Sequence, residues 1–265
     1  MKVGRYLRLL GVSARASAMT SMQYRVDFII EGLMSVWWLG WNLVPLLVLY
    51  GERDVIAGDW DFPSALVVIG WFTVLRGILE GAITPSLIDV IDRIRTGAFD
   101  YPLLKPADAQ FLVSTSRFAP WRIVDILGGI GLVIYAFARM GRTPAATDVA
   151  LALALLASAA LVLYSLWILV ISAAFWVVRM DNLAYLFSAV FDAARWPVQV
   201  FRGAWRFLFT FIIPLALMTT YPAMALLGSI RAETALLSLA GALVFGGLAR
   251  GLWTLAIRNY TSASS

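Results

Sequence analysis

Long apolar runs separated by short polar and basic connections dominate this chain of 265 residues. The first, Phe28 to Tyr50, reads FIIEGLMSVWWLGWNLVPLLVLY. A bilayer core about 30 Å thick is crossed by about 20 helical residues, so this run is long enough to span it. Comparable runs lie at about 62–82, 118–138, 148–178, 205–222 and 234–257. They predict an all-α polytopic membrane protein with about six transmembrane helices, forming a single domain over 1–265. The fourth run exceeds what a crossing needs, which predicts tilt or a helical extension past the bilayer.

Two shorter stretches have mixed patterns. Met1 to Thr20 scatters Lys2, Arg5, Arg8 and Arg15 among Tyr6, Leu7, Leu9, Leu10 and Val12. It lacks the uninterrupted apolar core of a cleavable signal, and it predicts an interfacial amphipathic helix within 1–27 on the cytoplasmic face. Ser86 to Pro106 reads SLIDVIDRIRTGAFDYPLLKP. There Leu87, Ile88, Val90, Ile91 and Ile94 alternate with charges, and Gly97 supplies a stop. A short helix with an apolar face suits a groove on a partner, or alternatively the membrane surface.

The polar connections set an orientation. With the N-terminus inside, the inner segments carry Lys2, Arg5, Arg8, Arg15, Arg25, Arg93, Arg95, Lys105, Arg117, Arg122, Arg179, Arg195, Arg202, Arg206, Arg250 and Arg258. The outer segments carry only Arg53, Arg139, Arg142 and Arg231. Such bias predicts that both termini are cytoplasmic. Trp37, Trp38, Trp60, Trp121, Trp196 and Trp205 fall near span ends, where interfacial anchors sit. The outer loops are too short for a folded domain. The inner segments 83–117 and 179–204 leave room for a soluble partner.

Composition sharpens this picture by exclusion. Hydrophobic residues make up 61% and charged residues 14%, against about 25% charged in a typical soluble domain. The net charge of +5 follows from the basic inner loops and does not call for nucleic acid. With no Cys and no His, disulfides, Fe–S clusters and thiol nucleophiles are excluded, as are imidazole bases and ligands. No GxxxxGK[ST] occurs, so the chain has no P-loop of its own.

The candidate chemistry is sparse. Asp89 and Asp92 form a D-x-x-D that would hold a Mg²⁺-diphosphate in a membrane prenyltransferase, although a solvated helix face has the same spacing. Glu31, Arg76, Glu80 and Asp125 are charges at span depth, where each is costly. Arg76 and Glu80 are spaced to pair at i,i+4, and Asp125 has Arg122 and Arg117 upstream. These charges either neutralise one another or line a translocation path or subunit interface. Pro214 and Pro222 predict a break in the fifth span. The apolar stretch beyond Pro222 is too short to cross, which predicts an outer re-entrant segment at 223–233. Gly77/Gly81 and Gly247/Gly251 are GxxxG pairs that permit close helix approach.

Several segments, in order, carry a family resemblance. They are Tyr24-Arg25-Val26-Asp27-Phe28, Ile94-Arg95-Thr96-Gly97-Ala98-Phe99-Asp100 with Leu103-Leu104-Lys105-Pro106, Phe175-Trp176 through Asn182-Leu183, and Phe207 to Pro214 through Thr219-Thr220-Tyr221-Pro222-Ala223. With these the chain resembles the permease subunits of bacterial type 2 ATP-binding-cassette (ABC) exporters, in particular a six-span family. The resemblance implies a multi-pass protein of the bacterial plasma (inner) membrane. It implies a second permease chain, as homodimer or heterodimer, above two copies of an ABC ATPase that alone binds ATP and Mg²⁺. No catalytic, cofactor or metal residues are expected in this chain. A coupling helix over about 86–96 would seat on the ATPase, with Asp89, Asp92, Arg93, Arg95, Thr96, Gly97, Asp100 and Lys105 at or near the contact. The alternatives are an integral-membrane transferase using Asp89 and Asp92 with Mg²⁺, and an ion-coupled secondary transporter. A dense carboxylate cluster would favour the first, and repeat symmetry with mid-membrane charges the second.

Overall fold

A computed structural model describes residues 2–23, 25–52, 55–56, 60–176 and 189–259. Helix α1 covers Lys2–Gln23 and α2 covers Arg25–Glu52. Only Ser35, Asn42 and Leu46 of α2 are buried, so most of its surface faces away from this chain. A two-residue β1 (Val55–Ile56) pairs antiparallel with β2 (Trp60–Asp61). The Tyr50 hydroxyl donates to the Trp60 carbonyl at 2.7 Å and pins this turn to α2.

Asp61 then caps α3 (Phe62–Ile78), accepting from Ser64 N–H at 3.0 Å, with Pro63 in the first turn where its missing N–H costs nothing. Helix α3 is buried on nearly every side. It runs through a π-helical turn, Leu79–Ile83, into α4 (Thr84–Arg95). The short helices α5 (Asp100–Leu104) and α6 (Ala109–Ser114) follow. A 3₁₀ turn, Pro120–Arg122, leads into α7 (Ile123–Met140), which ends on Gly141 at φ 65°. Helix α8 covers Ala146–Ala173. The sequence carried this span to 178, but the helix gives way to turns after Ala173, and 177–188 lie outside the described residues.

Helices gain little in lipid by hiding apolar surface from one another, so close backbone contact becomes the main source of packing energy. The α3–α7 pair is built this way. Added Cβ atoms at Gly70 and Gly129 would lie 2.8 Å and 2.5 Å from the carbonyl oxygen of the opposite glycine. Gly77 fits equally closely against Ile126 and the Arg122 carbonyl. Of the two GxxxG pairs, Gly77/Gly81 is thus a packed contact. A Cβ at Gly247 or Gly251 would meet nothing within 4 Å.

Residues 205–222 do not form the straight span that their apolarity predicts. Pro214 lacks an N–H, and Ile213 before it is forced out of the helical region to φ −114°, ψ 87°. The chain reverses there. One leg is α9 (Gly203–Phe207) continued by a π turn, Leu208–Ile212. The other is a π turn, Ala216–Thr220, continued by α10 (Tyr221–Leu226). Arg206 and Phe207 border the same cavity as Met224, Ser229 and Arg231, whereas Pro214 and Leu217 sit deeper, beside Gly241 and Phe245 of α11 (Ala232–Arg258). The two legs therefore form a hairpin with its tip at Pro214.

The chain reaches this hairpin along an irregular path. Phe191 stacks on Phe72 with ring centroids 5.2 Å apart. The Thr219 hydroxyl donates to the Ala194 carbonyl at 2.6 Å, and Val198 N–H donates to the Thr220 hydroxyl at 3.1 Å. Arg202 and Arg206, placed with the inner loops on sequence grounds, thus stand at the end of the bundle that holds the α7–α8 turn and Arg231. The opposite end gathers α1, the 104–122 segment and the close of α11. Among the described residues, five helical segments are long and apolar enough to cross a membrane: Arg25–Glu52, Phe62–Ile94, Pro120–Met140, Ala146–Ala173 and Ala232–Arg258.

Candidate functional site

At the end that gathers the termini, α4 presents two faces. Leu87 and Val90 are buried in the main core and Ile91 and Ile94 pack against it, while Ile88 faces outward. Asp89 accepts from Arg93 at 2.5 Å and pairs with Arg117 at 3.1 Å. The carboxylate is thereby neutralised twice, which leaves little for a metal–diphosphate. Among the described residues no cluster of three candidate metal ligands occurs.

Helix α4 ends as its sequence predicts. Thr96 donates its hydroxyl to the Asp92 carbonyl at 2.8 Å, and Gly97 takes φ 73°, which its missing Cβ permits. Phe99 then plugs the core, its ring 5.4 Å from Phe175 and 5.9 Å from Trp253. With Phe99 and Pro102 buried, the turn of α5 is pushed outward. Tyr101 is 71% and Leu104 81% exposed, beside exposed Lys105. Of the eight residues expected to contact a partner, Asp92, Thr96 and Lys105 are on the surface, and Asp100 and Gly97 are half-buried. Arg93 is committed to Asp89. The Arg95 side chain lies outside the described part. Of the most protruding residues, Tyr101 was not singled out from the sequence, and Leu104 entered only within a resembling segment. Their signal is two large apolar residues in a turn between Asp100 and Lys105.

The span-depth charges converge at the π turn. Arg76 donates to Glu80 at 2.9 Å, as the i,i+4 spacing predicts. Glu80 also pairs with Arg122, which donates to Asp125 at 3.0 Å. Two carboxylates and two guanidiniums thus cancel where α3, the π turn and α7 meet. Arg117 is not part of this set. Glu31 is exposed on α2 and has no ion pair among the described residues. Pro214 is the hairpin tip and Pro222 the buried first turn of α10.

A second polar cluster has no counterpart in the sequence reading. Arg250 of α11 grips Asp108 through two bonds, 2.5 and 3.2 Å, and donates to the Gln110 side-chain oxygen at 2.7 Å. Gln110 donates to the Tyr164 hydroxyl of α8 at 3.0 Å, and Ser114 shares that hydroxyl at 2.8 Å. Asp108 N–H donates to the Tyr6 hydroxyl of α1 at 3.2 Å. Burial pushes the Asp108 carboxyl up, but Arg250 and the N–H groups of Phe111 and Gln110 outweigh it and hold it below its ordinary value. These residues are scattered over four elements, and no local spacing links them.

Comparison with protein families matches residues 36–264 to the model described as ABC-2 family transporter protein. Curated proteins and solved structures give no match.

Proposed function

The chain belongs to the ABC-2 family of transporter proteins, and from that premise we propose that it exports a substrate across the bacterial plasma membrane, driven by a separate ABC ATPase. As an ABC transporter permease it supplies the membrane path. ATP and Mg²⁺ reside in the ATPase, present in two copies beneath two permease chains. The observation that carries the coupling is the knuckle of Tyr101, Leu104 and Lys105, which stands out from the basic, terminal end of the bundle. That end is cytoplasmic by its charge, and the hairpin of α9 and α10 dips in from the outer side. Closure of the ATPase dimer pushes on α4 and α5 and rocks α3 and α7 between inward- and outward-open states. The open surface of α2, where Trp37 and Trp41 stack at 6.5 Å, meets the second permease chain.

The transferase alternative is less well supported, because Asp89 is held by Arg93 and Arg117. The ion-coupled alternative is weakened in the same way by the partners of Glu80 and Asp125. The test is co-purification from the native membrane, with mass spectrometry reading for a chain that carries a P-loop. Leu104→Asp and Lys105→Glu are expected to lose that chain and its substrate-stimulated ATP hydrolysis while the permease stays folded. Retention of both by the folded variants overturns the coupling assignment.

A further inference from the structure

Two neighbouring cavities of the hairpin region share three lining residues. The upper, about 540 Å³, opens at the α7–α8 end between α9, α10 and the start of α11. Its polar wall comprises Gln199, Arg206, Thr210, Tyr221, Arg231 and Thr234. The lower, about 430 Å³, is walled by Pro214, Leu217, Leu237, Ser238, Gly241 and Phe245 and shares Thr210, Tyr221 and Thr234 with the upper. Each volume falls in the range of about 300–1,000 Å³ typical of small-molecule sites. A polar mouth thus adjoins a mainly apolar slot.

The mouth carries two guanidiniums, with the Asp148 carboxylate nearby at Gly228. Arg76, Arg93, Arg117, Arg122 and Arg250 each pair with a carboxylate, but Arg206 and Arg231 make no ion pair among the described residues. Two guanidiniums with hydroxyls nearby suit a phosphate, which accepts several charge-assisted bonds. The Gln199 amide oxygen is buried without a hydrogen-bond partner among the described residues, an acceptor that a hydroxylated head group would satisfy. Trp205, 61% exposed next to Arg206, is the kind of side chain that settles at the level of lipid head groups.

We propose that the hairpin holds a phosphate-bearing anionic lipid, its head group between Arg206 and Arg231 and its chain in the slot beside Gly241 and Phe245. The site needs no ATPase and stands whether or not the export reading holds.

The test uses the full chain purified in detergent, with native mass spectrometry of retained lipid. Phosphatidylglycerol, phosphatidylcholine of equal chain length and soluble glycerol phosphate are offered separately. Phosphatidylglycerol is expected to be retained at least tenfold better than either of the others. Arg206→Gln with Arg231→Gln is expected to erase that preference. Gly241→Leu leaves the charges alone and fills the slot, and a Cβ there meets nothing within 4 Å, so the variant is expected to fold. It too is expected to lose at least tenfold in retention. Equal retention of the two lipids overturns the proposal. So does glycerol phosphate binding as tightly as phosphatidylglycerol, which would mean a free phosphate site, or wild-type retention by Gly241→Leu. The lipid comparison on the unaltered chain and the Gly241→Leu arm decide the matter even if the double arginine variant fails to fold.

Discussion

Replacing Gly129 by Ala adds one methyl group at the closest point of the α3–α7 crossing. That Cβ would stand 2.5 Å from the Gly70 carbonyl oxygen and 2.8 Å from both the Val74 nitrogen and its Cγ2. Two of the three obstacles are backbone, so no rotamer change relieves them, and the helices must separate. Overpacking of this kind costs about 1–3 kcal/mol and more where backbone has to shift. Alanine returns about 1 kcal/mol of helix propensity. The net expectation is a loss of roughly 2 kcal/mol, more than a tenfold change in the folded fraction. Gly131 is the control, since its added Cβ meets nothing within 4 Å on the same helix. Gly131→Ala is therefore expected to be neutral or to gain up to about 1 kcal/mol. Thermal unfolding in detergent, followed by tryptophan fluorescence, measures both. Equal midpoints for Gly129→Ala and Gly131→Ala would refute the claim that backbone contact locks these two helices.

Two further outcomes are expected. In a double-mutant cycle, Glu80→Gln and Arg122→Gln should each cost about 1–2 kcal/mol, and their combination should cost less than the sum by at least about 0.5 kcal/mol; strict additivity would show that the pair does not interact. At the clasp, the folded-state pKa of Asp108 is depressed, so its contribution is complete above the unfolded value near 3.9 and is lost as pH falls through the folded value. Protection from hydrogen exchange in α1 and the end of α11, corrected for the pH dependence of intrinsic amide exchange, should then be level from pH 5 to 8 and fall in acid. Asp108→Asn keeps the cap on α6 but removes the charge, so it should abolish the acid step, and an unchanged step would exclude Asp108 as its source.

The long helices were legible because bilayer thickness imposes one crude requirement, length of apolar run, which α2, α3, α7, α8 and α11 all satisfy. The Arg76–Glu80 pair and the stop at Gly97 were legible because both are local: one turn of helix, and one residue with φ above zero. The 205–222 segment misled because apolarity measures immersion and not direction. A hairpin that enters and leaves from the same end is as greasy as a crossing, and only Pro214 marked the reversal. The packed glycines were half visible. Gly77/Gly81 fits the usual spacing, but Gly70 meets Gly129 across a tertiary contact that no single-helix motif encodes. The clasp of Arg250, Asp108, Gln110, Tyr164 and Tyr6 escaped for the same reason, since its members come from four separate stretches of chain.

These contacts divide the bundle into two bodies. Helices α3 and α4 form one 33-residue rod interrupted by the π turn. A π turn in an α-helix is a natural place for bending, yet here it is bolted down. Ala119 N–H donates to the Gly81 carbonyl at 2.8 Å, Ser86 both donates to the Arg117 carbonyl and accepts from its N–H, and the Arg76–Glu80–Arg122–Asp125 charges close over the turn. A force on the knuckle would therefore reach α7 as directly as α3, and Gly70 against Gly129 would keep the two from sliding. The second body, α8 with α11 and the hairpin, is joined to the first mainly by apolar contact, which permits small displacements. Among the described residues, Arg250 with Asp108 is the one ion pair that spans the divide between α11 and the 104–122 segment. It is half-exposed and worth on the order of 1 kcal/mol or less, weak enough to open and re-form under the proposed motion. The proposed motion thus has its hinge between the bodies, at the clasp and the Phe99–Phe175–Trp253 rings, and not at the π turn that the backbone alone would suggest.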